Sequence, residues 1–78
     1  MPSPTYTTLV STVSGYIDGV KAKDIVDRQI SAAGAHADSL TKSDLAKLLV
    51  SLTTATKLYV ADQGRRQEMT ERIKMLAN

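Results

Sequence analysis

A helix start stands in the middle of this chain, at the segment Leu40-Thr41-Lys42-Ser43-Asp44-Leu45. Thr41 can cap a helix through its hydroxyl, and Asp44, three residues later, can reach back to the cap as in a capping box. Leu40 and Leu45 occupy the two positions of a hydrophobic staple. Apolar side chains then recur at three- and four-residue steps, which places them on one helix face: Leu45, Leu48, Leu49, Leu52, Ala55, Thr56 and Tyr59. This pattern predicts an amphipathic helix over about residues 41–59.

The segment before it carries a less distinct pattern. Apolar side chains from Tyr6 to Ile17 fit one helix face over about residues 5–18, although the β-branched residues there also fit a strand that pairs with another chain. Asp18-Gly19 marks a break, or alternatively a kink, because the phase of the apolar stripe shifts there. A second helix follows over about residues 21–33, and Gly34 is placed to end it.

The C-terminal segment predicts a further helix over about residues 62–76. Asp62 is a suitable cap, and Met69, Ile73 and Leu76 form the apolar stripe. Acid-then-base pairs at Glu68–Arg72 and Glu71–Lys74 add a few tenths of a kcal/mol each.

Length and composition complete the prediction of the fold. The chain has 78 residues, no Cys, Trp or Phe, and three Tyr, so its core must be built from aliphatic side chains and Met. We therefore expect an all-α fold, a small compact bundle of three to four amphipathic helices. It forms a single domain over residues 5–78 after a flexible leader at 1–4. Because so short a core is marginal and no disulfide supplements it, oligomerisation or docking on a partner is the supplement left open.

The charge is distributed unevenly along the sequence. Residues 42–78 carry seven Lys and Arg against four Asp and Glu, whereas residues 1–41 carry three against four. Arg65 and Arg66 lie near a predicted helix N-terminus, where backbone amides and the helix dipole favour anions. The candidate anion-binding residues are Arg65, Arg66, Arg72 and Lys74, with Lys57 as a possible extension. Such a small basic excess is more typical of an ordinary solvated surface than of a nucleic-acid-binding protein.

No residue pattern carries recognisable catalytic chemistry. His36 is the single histidine, and a catalytic role would require it to share a cleft with a carboxylate. Asp24 and Asp27 lie three residues apart on the polar side of the second helix, where neighbouring Lys and Arg suit them better as partners than a metal ion. We therefore expect no enzymatic activity, no metal, no cofactor and no small-molecule substrate.

The third helix has more apolar residues than one buried face requires. Val50 and Leu58 lie off the main stripe, which indicates either burial on two sides or an intermolecular interface. Methionines can add an adaptable rim to such a surface. The candidate interface residues are Leu49, Val50, Leu58, Met69 and Met75.

One arrangement resembles a known type of module. Gly34, the capped start Leu40-Thr41 with Asp44-Leu45, the leucine stripe and Tyr59-Val60 before a charged final helix are similar to a small helical module of bacteria. That module occurs beside, or appended to, signalling and regulatory proteins. The resemblance spans about residues 25–76 and implies an accessory or adaptor role, with no catalytic or binding residues carried over.

These observations favour a non-catalytic protein–protein interaction or oligomerisation module, binding itself or another protein. The alternatives are a small nucleic-acid-associated protein that uses the basic residues above, and a structural subunit of a larger assembly. The longest aliphatic run, Leu48–Val50, is far shorter than the ~20 apolar residues of a membrane span, and the N-terminus lacks a signal-peptide pattern. We therefore expect a soluble, cytoplasmic protein.

Overall fold

The computed structural model describes residues 2–78 and forms four α-helices there, with no strand. The helices are α1 (Pro4–Ser14), α2 (Gly19–Ala32), α3 (Lys42–Lys57) and α4 (Gln63–Ala77), and a short 3-10 turn spans Ala37–Ser39 between α2 and α3. The prediction of an all-α fold is confirmed. Of the three to four helices expected, the described residues form four. The alternative of a strand near the N-terminus is wrong, because that segment is α1.

The start of α3 is built as its sequence predicts. The Asp44 amide donates to Thr41 Oγ1 at 3.2 Å, and the Thr41 amide donates to Asp44 Oδ2 at 3.1 Å, which completes the capping box. Leu40 and Leu45, the two staple residues, are both buried in the core. The helix ends at Lys57, two residues before the predicted boundary, with Leu58 as its C-cap.

The junction of α1 and α2 differs from its prediction. The first helix ends at Ser14, four residues early, and Gly15 is its C-cap. Asp18 and Gly19 do not end a helix. Asp18 caps α2 by accepting the Lys21 amide at 3.4 Å, and Gly19 is the first residue of α2. The sequence pattern misled because the adjacent pair Tyr16-Ile17 keeps a helical spacing, although these side chains pack on the core from the connecting turn.

The start of α1 lies inside the predicted leader. Pro4 is the first helical residue, where its missing N–H costs nothing. Ser3 Oγ accepts the Tyr6 amide at 3.2 Å, and the Ser3 amide donates to the Ala37 carbonyl at 3.0 Å. The first bond caps α1, and the second holds Ser3 against the connection between α2 and α3. Met1, the first residue of the predicted leader, lies outside the described residues.

Gly34 ends α2 in the predicted place and for the predicted reason. Its φ is +75°, the left-handed region that residues with a Cβ disfavour. The Ala35 amide donates to the Ile30 carbonyl and the Gly34 amide to the Ser31 carbonyl, both at 3.0 Å. These two bonds form a Schellman motif.

The four helices form a closed ring in which α1 packs on α2 and α4, and α3 packs on the same two helices. Tyr6, near the start of α1, bonds to Asp27 in the second half of α2, so this pair is antiparallel. Lys42, at the start of α3, donates to the Asn78 carbonyl after α4, so that pair is antiparallel too. The Cα radius of gyration is 11.2 Å, close to the ~11.5 Å of a compact chain of this length.

All four helices contribute to one core inside the ring. Thr56 is its one buried polar side chain among the described residues, and its hydroxyl donates to the Leu52 carbonyl at 2.9 Å. The buried hydrophobic residues are Tyr6, Leu9, Val13, Ile17, Ala22, Ile25, Val26, Ile30, Leu40, Leu45, Leu48, Leu52, Val60, Met69 and Ile73.

Candidate interaction surfaces

The four predicted anion-binding residues do not form one site. All lie on or at the start of α4, where the buried residues Met69 and Ile73 face the core. Successive residues are turned by ~100° about a helix axis, so Arg65 and Arg72 flank this buried stripe on one side, and Arg66 and Lys74 lie on the other. We call these the α1-facing flank and the α3-facing flank of α4.

The α1-facing flank is organised around Tyr16. Its hydroxyl donates to Glu68 Oε1 at 2.7 Å, and the Arg72 guanidinium pairs with the same oxygen at 3.1 Å. The guanidinium carbons of Arg65 and Arg72 lie 5.1 and 5.7 Å from the centre of the Tyr16 ring, within the range of cation–π attraction. Arg65 also donates from Nη2 to the Gly15 carbonyl at 3.1 Å. Both arginines are therefore used to attach α4 to the end of α1.

The Tyr16 hydroxyl also carries a shifted pKa. Desolvation, followed by the hydrogen bond to the Glu68 carboxylate, raises the pKa of this hydroxyl above its ordinary value of 10.0, although the nearby arginines oppose the rise. The hydroxyl is therefore a stable donor at neutral pH.

The hydrogen bond between Tyr16 and Glu68 also gives the direction of two helices. Because Tyr16 follows α1 and Glu68 lies in the first half of α4, α1 and α4 are antiparallel.

The α3-facing flank forms one side of a polar groove of about 420 Å³. Arg66 is half-buried there, and its Nε donates to the Val60 carbonyl in the connection between α3 and α4. The other cations are Lys57 and Lys74, neither of which has an ion pair or side-chain hydrogen bond within residues 2–78. The predicted Glu71–Lys74 pair is absent from this part of the chain, whereas the Glu68–Arg72 pair is confirmed. The groove is lined by Lys57, Gln63, Arg66, Gln67, Thr70, Glu71 and Lys74.

The N-terminus of α4 is less favourable to an anion than the sequence suggested. The Asp62 carboxylate accepts the Gly64 amide at 2.9 Å and so occupies the helix start with its own negative charge. A helix N-terminus attracts anions through free amides and its dipole, so the Asp62 carboxylate competes with an anion there, and the site stays a prediction. The positive charge of the α3-facing flank comes from the Lys and Arg side chains that line the groove, and not from the helix N-terminus.

The predicted interface residues are also separated. Met69 is fully buried in the core, which excludes it from the surface, and Leu49 is half-buried against the core. Val50, Leu58 and Met75 are 76%, 83% and 73% exposed. Eight positions separate Val50 from Leu58 on α3, which is ~12 Å along the axis and about 80° around it. Met75 lies on another helix, α4.

Leu58 and Tyr59 belong to a separate surface. The sequence pattern had placed Tyr59 on the buried stripe of α3. Because α3 ends at Lys57, Tyr59 leaves that stripe and is 47% exposed. Lys21 Nζ lies 4.8 Å from the centre of its ring. A groove of about 160 Å³ separates this corner from α2. It is lined by Asp24, Ile25, Arg28, Gln29, Ala55, Leu58 and Tyr59. We call this set the Leu58 surface.

The charged residues of α2 are paired as predicted. Asp24 Oδ2 lies 3.2 Å from Arg28 Nε, and Asp27 Oδ2 lies 2.9 Å from Lys23 Nζ. Asp27 also accepts from the buried Tyr6 hydroxyl at 2.6 Å. Partial burial raises the pKa of Asp27, but the hydrogen bonds from Tyr6 and Lys23 outweigh it and hold this pKa below its ordinary value of 3.8.

His36 is exposed and shares a groove of about 370 Å³ with Asp27, Tyr6 and Lys23. A carboxylate therefore does share a cleft with this histidine, as a catalytic role would require. The Asp27 oxygens are, however, already bonded to Tyr6 and Lys23, and the His36 ring has no hydrogen bond within residues 2–78. The groove thus lacks the contact between a base and an orienting carboxylate that positions a catalytic histidine. The non-catalytic expectation remains a prediction.

The described residues form neither a metal site nor a membrane span. Within residues 2–78, no three His, Asp or Glu side chains come together as ligands for a metal ion. None of the helices described here combines the length and apolarity needed to cross a bilayer. Comparisons with models of known protein families, with curated proteins and with solved structures find no match for this chain.

Proposed function

We propose that this chain is a non-catalytic protein-interaction module that self-associates through the Leu58 surface. The observation that carries the proposal is the exposure of Leu58, 83%, beside a groove that Leu58 itself helps to line. Large apolar side chains that cluster next to a concavity are typical of protein-binding sites. A cytoplasmic location is part of the proposal.

A second copy of the chain is the occupant that this geometry favours. The Leu58 surface carries an exposed leucine beside a small recess with Ile25 and Ala55 in its lining, the pairing that a two-fold dimer needs because each copy must supply both parts. Its rim bears both signs of charge, with Asp24 next to Lys21 and Arg28. A surface of mixed charge can meet its own copy with opposite charges opposed, whereas a rim of one sign repels itself.

The size of the core supports the same proposal. A chain of 78 residues buries only ~60–65% of the surface of its unfolded state, so its stability is small. An interface that covers Leu58 and Tyr59 adds buried apolar area at ~25 cal/mol per Å². Self-association is therefore a direct way for this fold to gain stability.

The first test is the absolute mass in solution, by light scattering after size exclusion, at low and high salt. We expect a dimer at both salts, because apolar association holds or strengthens as salt rises. Leu58→Glu should convert it to a monomer of unchanged helicity by circular dichroism. Val50→Glu is the matched control, since Val50 is also exposed on α3 but lies outside the groove.

Three results would overturn the proposal. The first is a monomer at all accessible concentrations, and the second is a dimer that survives Leu58→Glu. The third is equal dissociation by Leu58→Glu and Val50→Glu, which would show a general effect of added negative charge. A dimer that dissociates at high salt would instead indicate an interface held by charge.

A further inference from the structure

The α3-facing flank of α4 has a chemistry that the Leu58 surface lacks. Its groove holds three cations, Lys57, Arg66 and Lys74, against a single carboxylate, Glu71. The two lysines have no partner within residues 2–78, and Arg66 uses Nε alone, on the Val60 carbonyl. This hydrogen bond fixes the guanidinium, so its terminal nitrogens are available to a ligand at little further cost in side-chain entropy.

From this arrangement we infer that the groove between α3 and α4 binds an acidic segment of a partner protein in an extended conformation. The inference goes beyond the proposed self-association, because it concerns another face of the bundle and another occupant. It also differs from the anion site predicted from the sequence. The groove includes Lys57 but neither Arg65 nor Arg72, because the guanidinium groups of these two arginines are held at Tyr16 and, for Arg65, also at the Gly15 carbonyl.

The spacing of the cations favours an extended ligand over a single anion. Arg66 and Lys74 are eight residues apart on α4, or ~12 Å along its axis. An extended peptide rises ~3.3 Å per residue, so carboxylates four residues apart are separated by ~13 Å and can reach both cations. Lys57, the last residue of α3, lies at the Arg66 end of the groove because α3 and α4 are antiparallel.

The remaining lining residues fit a peptide better than a nucleic acid. Gln63 and Gln67 supply side-chain amides that can pair with peptide groups. No aromatic side chain lines the groove, whereas proteins that hold single-stranded nucleic acid stack its bases on aromatic rings. Glu71 adds a negative charge that would repel a continuous phosphate backbone, but it can accept a peptide N–H.

The test is fluorescence anisotropy with a labelled oligoglutamate long enough to span the groove, at ~0.1 M salt. Lys57→Glu and Lys74→Glu should each weaken binding by about fivefold or more, because each replaces an attraction with a repulsion. Lys47→Glu makes the same charge change on an exposed lysine of α3 that lines a different groove, beside His36. It should change binding by less than about twofold, since a screening length of ~10 Å limits effects from a distant charge.

Two controls keep the result interpretable. Circular dichroism melting checks that each variant is folded, and Lys57→Gln and Lys74→Gln serve as milder replacements if a reversal unfolds the chain. Leu58→Gln removes the exposed leucine without placing a charge beside Lys57, so it should dissociate the dimer but leave oligoglutamate binding unchanged, and failure of the dimer proposal is separable from failure of this one.

The inference is overturned if wild-type protein shows no binding of oligoglutamate. It is equally overturned if all three lysine reversals weaken binding alike, which would show only general attraction to a basic protein. Tighter binding of an oligothymidylate of matched charge would assign the groove to nucleic acid instead.

Discussion

The two flanks of α4 use the same residue types in opposite ways. On the α1-facing flank, Arg65 and Arg72 stack on Tyr16, and one of them pairs with Glu68. On the α3-facing flank, Lys74 has no partner within residues 2–78, and neither has Lys57, which lines the same groove from α3. The difference teaches that a basic residue holds the bundle together where a tyrosine or a carbonyl faces it, as the Val60 carbonyl also faces Arg66, and stays without an ion pair within residues 2–78 where only a groove faces it.

The largest expected effect on stability comes from a substitution in the buried stripe of α4, which lies between the two flanks. Met69 is fully buried, and Met69→Ala should cost about 3 kcal/mol of unfolding free energy through lost burial and the cavity left behind. That is a large part of the roughly 4–12 kcal/mol expected for a chain of this length. Urea denaturation followed by circular dichroism measures it. Met75→Ala is the control on the same helix, and as an exposed residue it should change stability by less than about 0.5 kcal/mol.

The comparison of the flanks is tested by removing one cation from each. Arg65→Ala should cost about 1 kcal/mol, because it loses the hydrogen bond to the Gly15 carbonyl and the contact with the Tyr16 ring. Lys74→Ala should stay within about 0.5 kcal/mol, since no hydrogen bond or ion pair within residues 2–78 is lost. Equal costs in urea denaturation would contradict the assignment of structural and available flanks.

The smallest effect concerns a third partnered charge, Asp27 on α2. Its pKa lies below the ordinary value of 3.8, so its contribution is complete above about pH 4 and is lost as the pH falls through the lowered pKa. We expect less than about 1 kcal/mol, because the side chain is 41% exposed and water screens its charge.

Tyr6→Phe should make this acid-side loss smaller, since it removes the hydrogen bond from the tyrosine hydroxyl that helps to lower the pKa. The measurement is the unfolding free energy in urea at neutral pH and at pH values below the pKa of this carboxylate in the unfolded chain. Tyr59→Phe is the control, because the Tyr59 hydroxyl makes no hydrogen bond within residues 2–78. An unchanged acid response in Tyr6→Phe would mean that Lys23 alone lowers this pKa.

Sequence patterns were most successful where the interactions are local. The capping box of Thr41 and Asp44, the C-terminal Gly34 and the cap at Asp62 each involve residues only two to five positions apart. They failed at the α1–α2 junction, where two competing local signals overlap. The helical spacing of Tyr16-Ile17 extended the first helix, but the cap at Asp18 starts the second.

The candidate sites were less predictable for a physical reason. The partners of the basic residues are remote in sequence, since Tyr16 and Glu68 are 52 positions apart and Arg65 and Gly15 are 50 apart. The exposed apolar residues were found in part, as Val50, Leu58 and Met75 are on the surface. No local signal shows how each helix is turned towards its neighbours.

The sequence by itself determined that this chain is helical, where α3 begins and that Leu45, Leu48, Leu52 and Thr56 are buried, because backbone capping and apolar periodicity are short-range properties. Only the tertiary structure decided which cations face a tyrosine and which face a groove. That choice depends on the rotation of α4 between α1 and α3, which is set by the packing of Met69 and Ile73 into a core shared by all four helices.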